Sequence, residues 1–338
     1  MSKSVMKLAT AVAVAALCAI GATAASAQTK LKLGQALPQQ HPQGVATDKF
    51  AELVKQYTNG RIQVTVYHGG MLGGDDKMLQ SVQSGTQDMY YGSLSAVAGK
   101  VPAVQIFDLP FLFNDAKEVE RVFFSPYGQK LHDRLVSSIG MVGLAWGQAG
   151  FRELTNSRRP INKAEDIAGL KIRVMQNQVA LDTWKTLGAN ALPMTITEVF
   201  TGLETGALDG QENPYLLIYA NKYYEVQKYG TTTNHVYTPC SLVISKKTWD
   251  KLGAEDQAAV RKAADEAMRY LFKLVDEANK DVVAKLEAGG MKVNTLPEAE
   301  LAKLREKVRP IVDKYAPVIG ADLVKEFMDE IAKARKAN

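Results

Sequence analysis

From residue 30 onward the chain alternates between two hydrophobic periods, and that alternation limits it to few architectures. "KLKLGQAL" at 30–37 opens with the period of two expected of a strand. A helical pattern follows from about Gly44 to Tyr57, carried by Val45, Phe50, Leu53, Val54 and Tyr57, and Asn59-Gly60 stops it. "RIQVTVY" at 61–67 returns to period two. A short helix from about Asp75 to Ser84 is closed by Gly85, and "TQDMYYGS" reads as the next strand. Helices and strands joined by short connections imply the α/β class, with parallel sheets covered on both faces.

The second half repeats this grammar. "DIAGLKIRVM" gives a helical turn, Gly169 and a strand, "QVALDTWKTLGAN" a helix ending near Gly188, and "ITEVFTGLETGALDGQEN" a helix closed by Gly206. "LQSVQSGTQD" aligns with "FTGLETGALD", matching Val82 to Leu203, Gly85 to Gly206 and Asp88 to Asp209. This points to two lobes with a similar helix–Gly–strand unit, although Gly-stopped helices also occur in unrelated α/β proteins. Two stretches read as crossings between the lobes: "GMVGLAWGQAGFREL" at 140–154, and "TTTNHVYTPCSLVIS" at 231–245. Extended crossings absorb a hinge motion through small dihedral changes.

A helix over 254–287 carries Leu271, Phe272, Val275, Val282, Val283 and Leu286 on one face without a clean heptad, so it is expected to brace both lobes. The expected division is lobe 1 over 28–150 with about 240–275, lobe 2 over 151–239 with about 280–315, and a C-terminal helix over 316–338.

Residues 1–27 read as an export signal. Lys3 and Lys7 precede the apolar stretch Leu8 to Ile20, and "ASA" at 25–27 offers a cleavage site before Gln28. The other reading, a retained anchor, fits less well because polar and Gly-containing sequence follows at once. The 338 residues carry a formal net charge of +5, with no dense basic run, which argues against nucleic acid as a partner. Four His and two Cys, with Cys18 far from Cys240, match no metal motif, and no metal or cofactor is expected. Cys240, the one thiol left after cleavage, reads as a buried structural group rather than a nucleophile.

Catalytic signatures are missing: there is no "GxSxG", no P-loop and no "HExxH". His68 beside Gly69-Gly70 is explained by a turn, and Asp75 and Asp76 by the dipole of the helix they start. The informative groups are polar residues at element ends. Arg173 lies inside the apolar strand "LKIRVM", where a guanidinium is costly unless it points out or meets an anion. The structural alternative is a salt bridge with Glu198 or Glu212. Arg152 follows the first crossing, and Asn213 precedes Pro214 at a strand end. An exported two-lobed protein with such groups fits a receptor for a small acid. The rival class is an exported enzyme acting on a small carboxylic acid.

"GLKIRVMQNQVALDTWKTLGANALPMTITEVFTGLETGALDGQENP" with "KYYEVQKYGTTTNHVY", "FRELTNSRRPI", "HPQG" and "FAELVKQYTNGRIQVTVY" resembles the DctP-type solute-binding subunits of TRAP transporters, over roughly residues 30 to 330. The resemblance implies a periplasmic binding protein fold: two α/β lobes, hinge crossings and a long helix spanning both. It implies closure on an organic acid, and delivery to an ion-gradient-driven permease of DctQ and DctM type. It places the family's chief arginine on Arg173, its second arginine on Arg152 and its cleft asparagine on Asn213. Gln176 stands where members vary with substrate, and Gln39, His41, Ser93 and Tyr237 lie on segments that face the cleft in the family. The wording is closest to members associated with C4-dicarboxylates, which sets the first expectation for the ligand. A sugar acid or other monocarboxylate is the alternative. For a dicarboxylate, Arg152, Lys100 and Lys49 are the candidates for a second cation, and Tyr90, Tyr91 and Tyr237 offer contacts to a larger ligand. Oligomeric state is not legible.

Overall fold

The computed structural model describes residues 28–337, and its strands sort into two sheets. The first contains β1 (Thr29–Gly34), β2 (Ile62–Tyr67), β3 (Met89–Gly92), β4 (Met141–Phe151) and β10 (Tyr237–Ser245), in the order β2-β1-β3-β10-β4. The second contains β5 (Glu153–Asn156), β6 (Lys171–Val174), β7 (Asn190–Pro193), β8 (Gly210–Asn213), β9 (Tyr229–Thr232) and β11 (Lys292–Thr295), in the order β11-β9-β5-β8-β6-β7. Each sheet is the floor of one lobe. The export signal expected over residues 1–27 lies outside the described residues. Among those described, no helix is long and apolar enough to cross a membrane.

Helices in the first lobe follow local sequence closely. α1 (Pro42–Tyr57) starts with His41 as its cap, whose ring accepts from the Gln43 N–H, and with proline at its first position. It buries Phe50, Leu53 and Val54. α2 (Asp75–Ser84) has two acids in its first turn and stops at Gly85 in the left-handed conformation. α3 (Ala116–Phe123) and α4 (Pro126–Ser137) are capped by Asp115 and Ser125. The second lobe adds α5 (Gln178–Thr186), capped by Asn177, the short α6 (Val199–Glu204) and α7 (Tyr215–Ala220).

The sheets are mixed, not purely parallel as the alternation implied. β10 runs antiparallel to β3 and β4, and β5 runs antiparallel to β8 and β9. The reason is topological: these strands carry the chain across from the other lobe and so enter each sheet against its parallel set. β4 continues through Arg152 into β5, and β9 returns through 233–236 into β10. The Arg152 N–H donates to the Val236 carbonyl at 2.8 Å, tying the two crossings together.

After α8 (Lys246–Trp249), the single helix expected over 254–287 is two helices, α9 (Ala254–Asn279) and α10 (Val282–Ala288). Asp281 leaves helical geometry at φ −125 and ψ −2. α9 lays Val260, Ala264 and Leu271 on α1 and β4 of the first lobe, whereas α10 buries Val282 and Leu286 against α7 and β11 of the second. The break lets one continuous run serve two differently oriented lobes. α11 (Glu298–Ile319) packs on α5 and on the 3-10 turn Pro102–Asp108. The last helix is α12 (Ala321–Lys336), starting after Gly320 rather than at 316. It returns to the first lobe, where Phe327 meets Phe107, Phe113 and Phe123, and Arg335 pairs with Glu118 at 3.0 Å.

Candidate functional site

The parallel strands of both sheets point their carboxyl ends at one cleft. β1 leads into Leu37, β3 into Ser93 and β6 into Met175, and β8 ends in Asn213; all four residues line the cleft. Open α/β sheets place ligands at such strand ends. The space left between the lobes is narrow, about 60 Å³ open to a water-sized sphere, so the lobes stand close together around these residues.

Arg152 sits where β4 passes into β5, so the backbone of the crossing fixes its position. It is 2 % exposed and held by four side-chain hydrogen bonds. Nε and Nη2 donate to the Glu212 carboxylate, one contact being 2.9 Å, Nη2 also donates to the Glu212 carbonyl, and Nη1 reaches Thr238 Oγ1 at 3.3 Å. The His235 ring pairs with the same carboxylate at 3.0 Å. Burial works to raise the Glu212 carboxyl, but the Arg152 guanidinium and the His235 contact overcome it and hold the group at about 2. Arg152 and Glu212 therefore form a neutralised pair.

Arg173, on β6, is differently committed. It is 4 % exposed, and its Nε and Nη2 donate to the Met194 carbonyl at 2.8 and 2.6 Å. Burial, and then the nearby Arg152, lower it to about 10, so it stays cationic at neutral pH. The carbonyl fixes the plane of the guanidinium and leaves its remaining N–H groups for a carboxylate. The salt bridge considered from the sequence does not form: Glu212 pairs with Arg152 instead. Facing Arg173 is Asp75, the first residue of α2, which also lines the cleft. Burial raises its carboxyl to about 6, against the pull of Tyr90 and of the Arg173 charge.

Of the other expected residues, the structure brings Asn213 and Ser93 to the cleft. The Asn213 amide donates to Gln211 Oε1 at 2.6 Å, which orients it, and Ser93 Oγ contacts Ser95 Oγ at 3.1 Å. Gln176 is exposed and does not line the cleft; Met175 does. Tyr237 lies off the cleft, between Phe113 and Phe151, donating to Gln148 Oε1 at 2.7 Å, and Thr238 lines it instead. Gln39 is exposed and donates to Asp48 at 2.7 Å. His41 is buried as the cap of α1, and burial lowers its ring to about 3. Lys49 pairs with Glu52 on the surface and Lys100 is exposed, so neither supplies a second cation to the cleft. Tyr91 lines the cleft, whereas Tyr90 only borders Asp75.

Reading the residues alone passed over Asp75, Gln43, Met175, Thr238 and Cys240. The period of two within strands was the available signal: Arg173 and Met175 share a face, as do Thr238 and Cys240. Burial pushes the Cys240 thiol up to about 12, so it presents a neutral wall rather than a nucleophile. Among the described residues, no group of three or more His, Cys, Asp or Glu could hold a metal ion.

The model of the DctP family, bacterial extracellular solute-binding protein family 7, matches residues 33–317. The crystal structure of the sugar acid binding protein DctPAm from Advenella mimigardefordensis in complex with galactonate is 40 % identical. It covers 91 % of this chain and 99 % of that one, with a TM-score of 0.88. The 2,3-diketo-L-gulonate-binding periplasmic protein YiaO of Escherichia coli is 34 % identical, over 94 % of this chain and 96 % of its own. The C4-dicarboxylate-binding periplasmic protein DctP of Rhodobacter capsulatus is 32 % identical, over 87 % and 88 %.

Proposed function

The chain belongs to the DctP family of bacterial extracellular solute-binding proteins, and from that premise we propose that its ligand is a sugar acid, a single carboxylate carried on a short hydroxylated chain. It is a periplasmic solute receptor for a small organic acid, not an enzyme. Proteins of this family generally work with DctQ- and DctM-type membrane subunits, and these are the partners we assign to it.

One observation carries the choice of ligand: the cleft offers one uncommitted cation, Arg173, opposite a carboxyl, Asp75. The second guanidinium is already neutralised by Glu212. A sugar acid would set its carboxylate on Arg173, with Asn213 to orient it. Its hydroxyls could donate to Asp75 and exchange hydrogen bonds with Gln43, Ser93 and Thr238. Leu37, Met175, Ile196 and Leu217 supply apolar surface for the carbon chain. A C4-dicarboxylate would bring its second carboxylate toward Asp75 with no free cation to meet it, and like charges held close in a dry site repel. The dicarboxylate favoured by the wording of the sequence is therefore the weaker reading. It retains the support of the Rhodobacter relative. The galactonate complex and the diketo-gulonate-binding relative support the sugar acid.

The test is calorimetric titration of protein unfolded and refolded to strip bound metabolite, with galactonate, glucuronate, malate and succinate. One-to-one binding of a sugar acid, with the dicarboxylates much weaker, is the expected result. Succinate or malate binding tightest would overturn the choice of ligand.

A further inference from the structure

At the mouth of the cleft, two segments from opposite lobes touch. The first lobe contributes 68–74, the glycine-rich loop after β2, and the second contributes 194–197, the turn after β7. Their contact is close enough to exclude a side chain. A Cβ built on Gly70 would stand 2.8 Å from Thr197 Cγ2, and one built on Gly74 would collide with Thr195 Oγ1.

The backbone at Gly74 does not require glycine. Its φ of −71 and ψ of 172 suit any residue. Nor does the cap of α2 require it, since Ser, Asn or Asp would cap that helix at least as well. Besides Thr195, the near neighbour of the missing Cβ is Asp76 Oδ1 at 2.9 Å, the movable end of a side chain on the same lobe. What the absent side chain serves is the approach of the other lobe.

Both segments run directly into ligand-site groups. Gly74 precedes Asp75, and Ile196, between the two threonines, lines the cleft. Met194, just before Thr195, supplies the carbonyl that fixes the Arg173 guanidinium. Thr195 makes no side-chain cap bond to the turn it begins. We propose that Gly74 and Thr195 are positioning residues. They form the seam on which the lobes close, and the bare backbone at 74 lets the second lobe descend far enough to set Arg173 opposite Asp75. The seam does its work whichever acid is bound.

Two experiments test this. Gly74→Ala should weaken galactonate binding about ten-fold, the cost of forcing one extra carbon into a packed contact, while the thermal midpoint of the ligand-free protein stays unchanged. Adding Thr195→Ala removes the colliding oxygen and leaves a Cβ-to-Cβ distance of 3.5 Å, an ordinary contact. Affinity should then return to within about three-fold of the Thr195→Ala single variant. Wild-type affinity in Gly74→Ala, or a loss that Thr195→Ala does not relieve, overturns the proposal.

The second experiment needs no ligand. In the Gly74→Cys/Thr195→Cys double variant the two Cβ atoms would lie at a separation a disulfide spans. Diamide should join them, located by mass spectrometry of the linked peptides, and the radius of gyration of the ligand-free protein should fall until dithiothreitol is added. If no such bond forms, the seam is refuted. If the wild type ignores galactonate but the cross-link forms, the sugar-acid reading fails and the seam stands.

Discussion

Arg173 enters the cleft with two N–H groups already given to the Met194 carbonyl, so it arrives oriented and pays little to bind. Removing it would leave a bound carboxylate buried without its charge partner. Arg173→Ala should cost at least ~3 kcal/mol of binding, read as a rise in Kd of more than a hundred-fold by calorimetry. Near-wild-type affinity would remove Arg173 from the site. Asp75 is the complementary test. Asp75→Asn removes a negative charge but keeps a hydrogen-bonding group of the same shape. It should improve succinate relative to galactonate by about 1–3 kcal/mol, the scale of one like-charge contact in a protein cleft. An unchanged ratio would mean that Asp75 does not govern selection. Arg152, Arg173 and Asn213 were legible because a charged or amide group at a strand end is chemically anomalous. Asp75 was not, because a carboxylate at a helix start has a sufficient local explanation in the dipole. Only the folded chain shows the same carboxylate facing Arg173. Gln176 and Tyr237 each stand one residue from a position that lines the cleft, and in an extended segment one residue reverses the face.

β4 shows how an element can serve lobe and hinge together. It pairs with β10 along most of its length, from Met141–Ser245 to Phe151–Tyr237. Its glycines make room for side chains arriving from elsewhere. A Cβ on Gly143 would meet His132 Nδ1 at 2.7 Å, and one on Gly147 would collide with the Tyr91 hydroxyl. Gly143→Ala should therefore destabilise by about 1–3 kcal/mol through overpacking, seen as a lower urea midpoint. Affinity should stay unchanged, because His132 stacks on Trp146, away from the cleft. An unaltered midpoint would mean the ring shifts at no cost. Four glycines among apolar residues identified this stretch as a crossing, but what each glycine accommodates is set by partners far away in sequence. The break between α9 and α10 was hidden for the same reason. The apolar face reads as continuous from 254 to 287, and the two lobes that divide it are absent from the local pattern.

At the scale of the whole molecule, buried titratable groups pull stability in opposite directions as pH changes. Burial raises Asp108 and Glu153 to about 7 and Asp75 to about 6. These carboxyls take up protons in the native state before the unfolded chain does, so between about pH 7 and 4 they favour folding as pH falls. His41 and His132 are held by burial at about 3. The unfolded chain protonates its histidines near 6.5, so over much of the same range they oppose folding as pH falls. The two sets nearly cancel between about pH 6.5 and 4.5. Below that the balance breaks. The unfolded chain's carboxyls now begin to take up protons too, so the raised carboxyls favour folding less and less; the histidines still favour the unfolded chain, and Glu212, held at about 2, joins them because its unfolded counterpart protonates near 4.5. Urea midpoints should be nearly level from pH 6.5 to 5 and fall steeply below about 4, and Glu212→Gln should make that acid limb shallower. A steady decline beginning at pH 7 would mean that the raised carboxyls do not offset the histidines. Because native Glu212 stays ionised down to about 2, Arg152 remains neutralised through the onset of that limb, and Arg173 stays the one uncommitted cation of the cleft for as long as the fold holds.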